Sequence, residues 1–548
     1  MSPWLLIATM AFPLLGAFAA ALVPAARARS TALAASLVSI LPAIVALDRF
    51  DWSDAAAFQG AGAVEWLPAL GLELSIGADG VSMLLIALSA LLGPVCVLAS
   101  WTAINTRQGL FYGWLLALQA AMIGVFCARD LLLFYVCFEF TLLPMFVLIR
   151  VYGSSGRVKA ATKFFLYTFT GSIITLAGFV YVAWQAAQQS GGLWSLDMAV
   201  LGEVARAMSP GQQAWVLGAL LAGFAVKVPL FPVHTWLPLA HTEAPTAGSV
   251  VLAAVLLKLG TYGIFRFAMG YTPDAFAAFA PQLAVLAIVG ILYAGLICWV
   301  QTDVKKLVAY SSVSHLGFCV LGLLAANHTG VTGSVLYMLS HGFSTGGLFC
   351  MIGFMYERYH TRDMREIGGL ASKMPVWSSF MVFFAMASVG LPGLNGFPSE
   401  LLCLIGTFQS DAAWSLAGEP GADGMTLGRW YGVVAGIGMV VGAIYLLYMV
   451  GRICFGELRE PAGHDDHQGA GAARLPADLN AREIVTLLPL AAGCLIFGLY
   501  PKPLVDASAA PVARQVQLVT DAAIDARTEA AQPTGFIDTS GPSPEVAP

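Results

Sequence analysis

Two lysines lie deep inside apolar stretches that are long enough to cross a lipid bilayer. Lys227 lies in GALLAGFAVKVPLF, and Lys258 lies in GSVVLAAVLLKLGTYGIF. A charged side chain at the centre of a bilayer costs at least ~3 kcal/mol, so it normally faces a partner or a hydrated interior and marks an ion path. The alternative for Lys258 is that its ammonium reaches the membrane surface along its flexible stem.

Two carboxylates have the same character. Glu139 lies nine residues into the apolar stretch DLLLFYVCFEFTLLPMF, which places it ~13 Å deep in a helix that rises 1.5 Å per residue. Lys227 is its natural partner, and the pair could exchange a proton or form a static salt bridge that only joins two helices. Glu400 follows the segment GLPGLNGFPSE, where it could instead mark the start of a helix after Pro398.

Histidines add groups that can carry a proton near neutral pH. His315 and His341 both lie inside predicted spans, where the alternative for each is a hydrogen-bonded structural histidine. The segment HTWLPLAHTEAPT holds His234, His241 and Glu243, which together suggest a zinc site. Its prolines favour the other interpretation, a rigid link into the next span.

The composition requires a membrane as solvent for most of the chain. Of 548 residues, 58% are hydrophobic and 11% are charged, whereas a soluble domain is about 25% charged. The nine cysteines are scattered without a C-x-x-C pair, no Walker-type phosphate loop occurs, and the net charge of −5 gives no support for nucleic-acid binding. These features predict a membrane protein that holds no metal or cofactor of its own.

Apolar runs predict an all-α polytopic membrane protein with about 14 spans. The predicted spans lie near 3–23, 30–48, 80–103, 109–127, 131–151, 163–187, 213–232, 246–269, 281–301, 305–326, 332–355, 374–408, 429–453 and 484–501. Alternation near Leu70–Ile76 predicts a short hairpin within the loop 50–79. Residues 188–212 and 409–428 are polar and are predicted to lie outside the membrane.

Prolines predict that two of these spans are broken. Pro229 and Pro232 end the seventh span, and Pro392 and Pro398 interrupt the twelfth. Proline removes a backbone donor, and freed backbone groups at membrane depth are tolerated only inside protein or beside water. Broken helices five spans apart are typical of an inverted repeat in a transporter, because the second copy enters from the opposite side.

The distribution of lysine and arginine predicts the orientation. Most of these residues fall in loops on one side, which is then cytoplasmic, so both termini lie on the periplasmic side of a bacterial inner membrane. The tail after Lys502 contains no span and is predicted to lie along the outer surface or to be partly disordered. The predicted units are spans 1–3 with the hairpin (1–108), a first five-helix repeat (109–270), a second, inverted repeat (271–456), and a loop, last span and tail (457–548).

Three strings resemble one known family. HTWLPLAHTEAPTAGSVVLAAVLLKLGTYGIFRF, QTDVKKLVAYSSVSHLGF and YERYHTRDMREIGGL are similar to motifs of the antiporter-like subunits of respiratory complex I, over roughly residues 80–460. The acid at position 400 and the short tail place the chain nearest to one of three paralogous subunits. The resemblance implies two inverted five-helix bundles and a charged axis at mid-membrane. Matching positions are Glu139, Lys227, Lys258, His315, His341 and Glu400 for proton translocation, with Lys305, His234, Pro229 and Pro392 in supporting positions.

The resemblance also implies the setting in which such a chain works. It implies a subunit of a proton-translocating NADH:quinone oxidoreductase, with other membrane subunits as partners, especially the L-type and N-type antiporter-like subunits. NADH, FMN, iron–sulfur clusters and quinone would be bound in partner subunits. The alternatives are a subunit of a Mrp-type sodium/proton antiporter or membrane-bound hydrogenase, a passive membrane scaffold, and a quinone-binding subunit.

Overall fold

Twelve helical elements in the described part of the chain are long and apolar enough to cross a membrane. The structure is a computed structural model that describes residues 1–67, 72–410, 427–461 and 477–531, with side chains through 524. The all-α polytopic fold is thereby confirmed. The two remaining predicted spans, near 213–232 and 374–408, are the interrupted ones and are not among the twelve, so the total of 14 stays a prediction.

Where the structure describes it, the first half of the chain contains a hairpin and thirteen α-helical segments. These are α1 (Pro3–Leu22), α2 (Ala25–Arg49), β1 (Gln59–Leu67), β2 (Leu72–Ala78), α3 (Gly80–Ala99), α4 (Gln108–Cys127), α5 (Leu131–Phe140), α6 (Leu142–Tyr152), α7 (Arg157–Gln189), α8 (Met198–Arg206), α9 (Pro210–Lys227), α10 (Leu237–Glu243), α11 (Thr246–Val251), α12 (Leu257–Gly263) and α13 (Met269–Tyr271).

The second half contains eight further helices. These are α14 (Pro273–Val300), α15 (Val304–Leu324), α16 (His328–Tyr359), α17 (Pro375–Val389), α18 (Gly396–Gln409), α19 (Arg429–Cys454), α20 (Ala481–Leu499) and α21 (Lys502–Ala531). Several begin at a side-chain cap: Asp79, Asp130, Asp303 and Asn327 each accept a hydrogen bond from a backbone N–H of the first turn.

The predicted hairpin is confirmed. β1 and β2 pair antiparallel, with Val64 opposite Leu74, and the tip at 68–71 lies outside the described residues. The polar segment 188–212 contains α8, and most of 409–428 lies outside the described residues. We call the end of the helix bundle that carries the hairpin, α8 and α21 the hairpin end.

Both predicted breaks are present. α9 stops at Lys227, and Trp236 Nε1 donates to the Val226 carbonyl at 2.9 Å, which satisfies one backbone group freed by the break. α17 stops before Gly390, which has a φ of 82° that favours glycine. Asn395 then ties the second break to α16 through its backbone carbonyl and side-chain amide, which bond Ser340.

The span from Thr246 to Tyr271 contains two π-helical segments, Leu252–Leu256 and Ile264–Ala268, which the sequence did not predict. They flank Lys258, and π-turns occur frequently at functional sites. The apolar windows of this span and of α16 are entirely buried, whereas that of α1 is 33% buried. The two spans that carry Lys258 and His341 are therefore the core of the bundle.

The tail forms a helix rather than a disordered segment where it is described. α21 packs against α3, α13, α14 and α16 across the hairpin end. Its own residues Val512, Val516 and Val519 are fully buried on the face that packs against these helices. α21 is not among the twelve helices that are long and apolar enough to span a membrane, and its position on the outer side stays a prediction.

Candidate functional site

Glu139 and Lys227 do not form the direct ion pair that the sequence predicts. Lys227 Nζ donates to Thr141 Oγ1 at 3.1 Å and lies 4.7 Å from the centre of the Phe138 ring. Among the described residues, Glu139 Oε1 has no hydrogen-bond partner. The ammonium is held by the hydroxyl at the junction of α5 and α6 and by an aromatic face, so it interacts with the carboxylate at longer range.

The two members of this first cluster differ in exposure. Lys227 is 3% exposed, at the carboxyl end of α9, where the helix dipole favours a cation. Glu139 is half-buried, and its neighbours Val136 and Phe140 are 54% and 38% exposed. Glu139 therefore lies closer to the outer side of the bundle than Lys227 does.

Lys258 contacts a histidine and a backbone carbonyl. It is fully buried, its Nζ lies 2.7 Å from His341 Nδ1, and it donates to the Ala253 carbonyl of the preceding π-turn. The membrane-surface alternative for Lys258 is therefore wrong, because the ammonium is directed into the bundle. His341 Nε2 is buried and has no hydrogen-bond partner among the described residues.

A second set of hydrogen bonds continues from His341. Its ring lies 6.1 Å from the His315 ring. His315 Nδ1 lies 2.7 Å from the Tyr337 hydroxyl, which donates to Glu400 Oε1 at 3.0 Å. The Tyr445 hydroxyl closes the other side of His315, 3.2 Å from Nε2. Lys258, His341, His315, Tyr337, Glu400 and Tyr445 form what we call the second cluster.

Glu400 is not a helix cap. α18 begins at Gly396 without an acidic residue in its first turn, and Glu400 is buried one turn later. Its Oε1 lies 3.7 Å from His315 Nδ1. The Glu400 carboxylate is thus part of the second cluster, which favours a functional role over a role as a helix cap.

The structure brings the predicted residues into two groups rather than one continuous line. No hydrogen bond between described protein atoms joins the first cluster to the second. The second cluster unites five of the predicted spans, because α12, α15, α18 and α19 each contribute one side chain and α16 contributes two. A proton passing between the clusters needs bridging water or a change of side-chain rotamer.

Lys305 lies at the opposite end of the bundle from the hairpin. It is in the first turn of α15, is 7% exposed, and donates to the Ala244 carbonyl at the end of α10. A cavity of 160 Å³ opens beside it and is also lined by Glu243, Glu357 and Arg362. Lys305 therefore belongs to a polar vestibule and not to either cluster.

His241 lies between this vestibule and the second cluster. It is fully buried on α10, and neither ring nitrogen has a partner among the described residues. Its ring stacks on Phe349 with centroids 4.6 Å apart, and it interacts electrostatically with both Lys305 and Lys258. A buried histidine with two unsatisfied nitrogens is costly, which points to a role beyond packing.

The remaining supporting residues lie apart from both clusters. His234 is 3% exposed and packs against Phe231 and Tyr293, with ring centroids 5.7 Å away in each case. Pro229 and Pro392 lie in the two breaks and position their neighbours. Within the described residues, no group of three or more His, Cys, Asp or Glu side chains could hold a metal ion.

Sequence reasoning did not identify Thr141, Tyr337 or Tyr445 as site residues, and it weighed His241 only as a zinc ligand. Tyr337 had a usable signal, because it precedes His341 by four residues and so lies on the same helix face. No sequence pattern identifies Tyr445, since its contact with His315 spans 130 residues of sequence.

Comparisons with known proteins identify the family to which the chain is similar. Residues 128–419 match the family described as NADH:quinone oxidoreductase/Mrp antiporter. NADH-quinone oxidoreductase subunit M of Rhodobacter capsulatus is 39% identical over 499 residues, covering 89% of this chain and 90% of that protein. NADH-ubiquinone oxidoreductase chain 4 of Arabidopsis thaliana is 37% identical over 509 residues, covering 92% and 95%.

Solved structures give the same fold. A chain of respiratory complex I from Thermus thermophilus superposes with a TM-score of 0.79 at 27% identity, covering 94% of this chain and 99% of that one. A chain of the Mrp complex from Dietzia sp. DQ12-45-1b superposes with a TM-score of 0.77 at 20% identity, covering 95% and 98%, which shows the fold alone. The chain therefore belongs to the family of NADH:quinone oxidoreductase and Mrp antiporter membrane subunits, with subunit M and chain 4 proteins among its relatives.

Proposed function

We propose that this chain translocates protons as the subunit M of an NADH:quinone oxidoreductase. The observation that carries the proposal is the second cluster, in which a buried lysine, two histidines, a tyrosine and a glutamate follow one another at the centre of the bundle. Each of these groups can hold or pass a proton, and together they extend from the first half of the fold into the second.

The hydrogen bonds give an order for the transfer. The Lys258 ammonium gives a proton to His341 Nδ1, 2.7 Å away. The proton leaves from His341 Nε2 and reaches the His315 ring, 6.1 Å between centroids, through a bridging water or a ring rotation. His315 Nδ1 then donates to the Tyr337 oxygen while the Tyr337 hydroxyl proton passes to Glu400, so that charge advances without displacing the tyrosine.

Reloading of Lys258 is assigned to the vestibule beside Lys305. His241 lies between the two lysines with both nitrogens unsatisfied, so it can accept a proton from the vestibule at one nitrogen and release one toward Lys258 from the other. This step needs water between His241 and Lys258, because no direct hydrogen bond joins them among the described residues.

The driving signal is assigned to the first cluster. Glu139 is half-buried at the outer side, so a change of charge in an adjoining subunit alters the electrostatic potential at its carboxylate. Lys227 would then exchange Thr141 for Glu139 as a partner, and the displaced charge would change the proton affinity of Lys258. Moving one charge against 100 mV costs ~2.3 kcal/mol, which a rearranged buried charge pair can supply.

The rest of the proposal is supported by the names of the relatives and by the distribution of lysine and arginine. We place the chain in a bacterial inner membrane with both termini on the periplasmic side, beside L-type and N-type antiporter-like subunits. Flavin, iron–sulfur clusters, NADH and quinone are assigned to partner subunits, and the chain contributes to the enzyme as its translocating part.

The test uses the native complex with two substitutions, Lys258→Met and Glu139→Gln. We expect both variants to assemble and to lose most quinone-coupled NADH oxidation together with acidification of inverted membrane vesicles. Lys163→Met, a cation at the end of the bundle away from both clusters, is the matched control and should retain both activities.

Four outcomes would contradict the proposal. Assembled variants with full proton translocation would remove both clusters from the mechanism. Failure of assembly with Glu139→Gln and Lys258→Met alike would favour a passive scaffold. Translocation that requires sodium would favour a sodium/proton antiporter, and photolabelling of the chain by a quinone analogue would favour quinone binding.

A further inference from the structure

Three arginines line a cavity of 100 Å³ at the hairpin end, beneath the tail helix α21. They are Arg206 at the end of α8, Arg266 in the span that carries Lys258, and Arg514 in α21. Among the described residues, Glu203 is the only carboxylate in the lining. The cavity is thus an electropositive pocket built from three separate parts of the chain.

Only one of these cations is neutralised. Arg266 Nη2 pairs with Asp79 Oδ2 at 2.6 Å, and both side chains are largely buried. Arg206 donates to the Gly270 carbonyl at 2.9 Å, which is a neutral partner. Among the described residues, no carboxylate lies within 4.0 Å of the guanidinium groups of Arg206 or Arg514.

The remaining positive charge affects the pKa of Arg206. Burial lowers the pKa of its guanidinium below the ordinary value, and Arg514 lowers it further although Glu203 opposes the change. Arg206 and Arg514 line one cavity in which Glu203 is the opposing charge, so a bound anion would offset the repulsion that remains between the two guanidinium groups.

A buried amide adds a second, independent observation. Gln515 is 6% exposed, lines the same cavity, and has an Oε1 without a partner among the described residues. A Cβ placed on Gly270 would lie 3.0 Å from that oxygen. Gln515 and Arg206 therefore both approach the backbone of Gly270. Rotation of the amide would present its NH₂ group, a donor suited to an anion.

The position of the pocket fits the phosphate layer of a membrane. Arg206 lies four residues before α9 begins, and Gly270 lies at the end of the span Thr246–Tyr271. Both positions mark the boundary between the apolar core and the surface, where phospholipid phosphates lie. The arginine fork binds phosphate oxygens through paired N–H donors.

We propose that Arg206, Arg514 and Gln515 bind one phosphate group, either the phosphodiester of an acidic phospholipid or free phosphate, and that this anion fastens α21 to α8. The site is independent of proton translocation, because none of its three residues belongs to either cluster. Its function is to hold the tail helix across the hairpin end of the bundle.

The test measures bound phospholipid on the intact complex. Wild type, Arg206→Gln/Arg514→Gln and Gln515→Glu are purified in detergent, incubated with phosphatidylglycerol or phosphatidylcholine, and compared by native mass spectrometry. Arg49→Gln, an exposed arginine at the hairpin end with 72% side-chain exposure, is the matched control. We expect wild type and control to retain one more phosphatidylglycerol than the two site variants, and Arg206→Lys/Arg514→Lys to retain part of it.

Inorganic phosphate distinguishes the two sources. If phosphate in solution displaces no phosphatidylglycerol, the site takes a lipid headgroup; if the extra lipid is absent but wild type alone binds radiolabelled phosphate, the site takes the free ion. Equal retention of lipid and of phosphate by wild type and by all site variants that assemble would overturn the proposal. Assembly is checked by NADH oxidation, which keeps this result separate from failure of proton translocation.

Discussion

The tyrosine between His315 and Glu400 joins two residues that the sequence marked as functional. Its hydroxyl lies 2.7 Å from the histidine nitrogen and 3.0 Å from the carboxylate oxygen. A buried hydrogen bond to a charged group contributes about 1.5–3 kcal/mol. Tyr337 therefore determines whether the end of the second cluster conducts or is interrupted.

Replacing this tyrosine should interrupt transfer without unfolding the bundle. We expect Tyr337→Phe to lower the rate of proton translocation about tenfold, because each 1.36 kcal/mol lost from a transition state reduces a rate tenfold. The measurement is vesicle acidification per NADH oxidised. Tyr112→Phe is the control, since Tyr112 is equally buried but donates to the Ser100 carbonyl away from both clusters. An unchanged rate in Tyr337→Phe would remove the hydroxyl from the route.

His241 allows a second test at the residue scale. His241→Phe keeps an aromatic ring stacked on Phe349 and removes both titratable nitrogens. We expect proton uptake to fall at least tenfold while the complex assembles, because Lys258 loses its proposed relay to the vestibule. Uptake is followed with a pH dye on the vestibule side, and His328→Gln serves as control. Normal uptake would show that the vestibule supplies Lys258 by another route.

The sequence indicates which residue types belong to this site better than it indicates which of those residues contact one another. A lysine or glutamate at bilayer depth is visible in the sequence because lipid excludes charge, and all six predicted translocation residues lie in the two clusters. The contact partners were not predictable in the same way. Lys227 bonds Thr141 rather than Glu139 because the end of α9 directs its ammonium to the junction of α5 and α6, and that geometry depends on packing between distant segments.

At the scale of elements, the second break depends on a close approach of two backbones. A Cβ on Gly396 would lie 2.1 Å from the Ala387 carbonyl oxygen, so only glycine allows α18 to begin beside the end of α17. The break in turn sets the position of Glu400, one turn into α18. The prolines of the second break predict it from the sequence, whereas no comparable sequence pattern predicts the two π-helical segments beside Lys258.

A methyl group at this contact should separate the two half-helices. We expect Gly396→Ala to destabilise the chain by about 1–3 kcal/mol, as overpacking does, and to reduce proton translocation by displacing Glu400. Gly436→Ala in α19 is the matched control, because a Cβ there meets no atom within 4 Å and alanine is favoured in a helix. The thermal unfolding midpoint and vesicle acidification are measured together. Equal midpoints for both variants would contradict the close approach.

At the scale of the whole molecule, the fold has two ends that differ in composition. The hairpin, α8 and α21 lie at one end, and the vestibule with Lys305 and Arg362 lies at the other. The sequence predicts that the second end is cytoplasmic, because it receives most of the lysine and arginine residues in the loops.

Thiol labelling tests this orientation. The native cysteines are buried, apart from Cys137, which is half-buried, so the background is low. We expect Ser53→Cys, which is exposed at the hairpin end, to react with a membrane-impermeant maleimide in intact spheroplasts. Glu366→Cys, exposed at the opposite end, should react only after the membrane is opened. The reverse pattern would invert the assigned orientation.

The complete enclosure of the span Thr246–Tyr271 has a consequence for biogenesis. No part of its apolar window touches lipid in the finished fold, yet the ribosome delivers it before α16, the helix that supplies His341. During synthesis, Lys258 therefore has no contact with His341 until α16 is inserted. Until then, the span that carries Lys258 must stay in the translocon or be bound by a chaperone. A chain truncated before residue 328 should consequently be retained by the insertion machinery or degraded, even though every earlier helix is present.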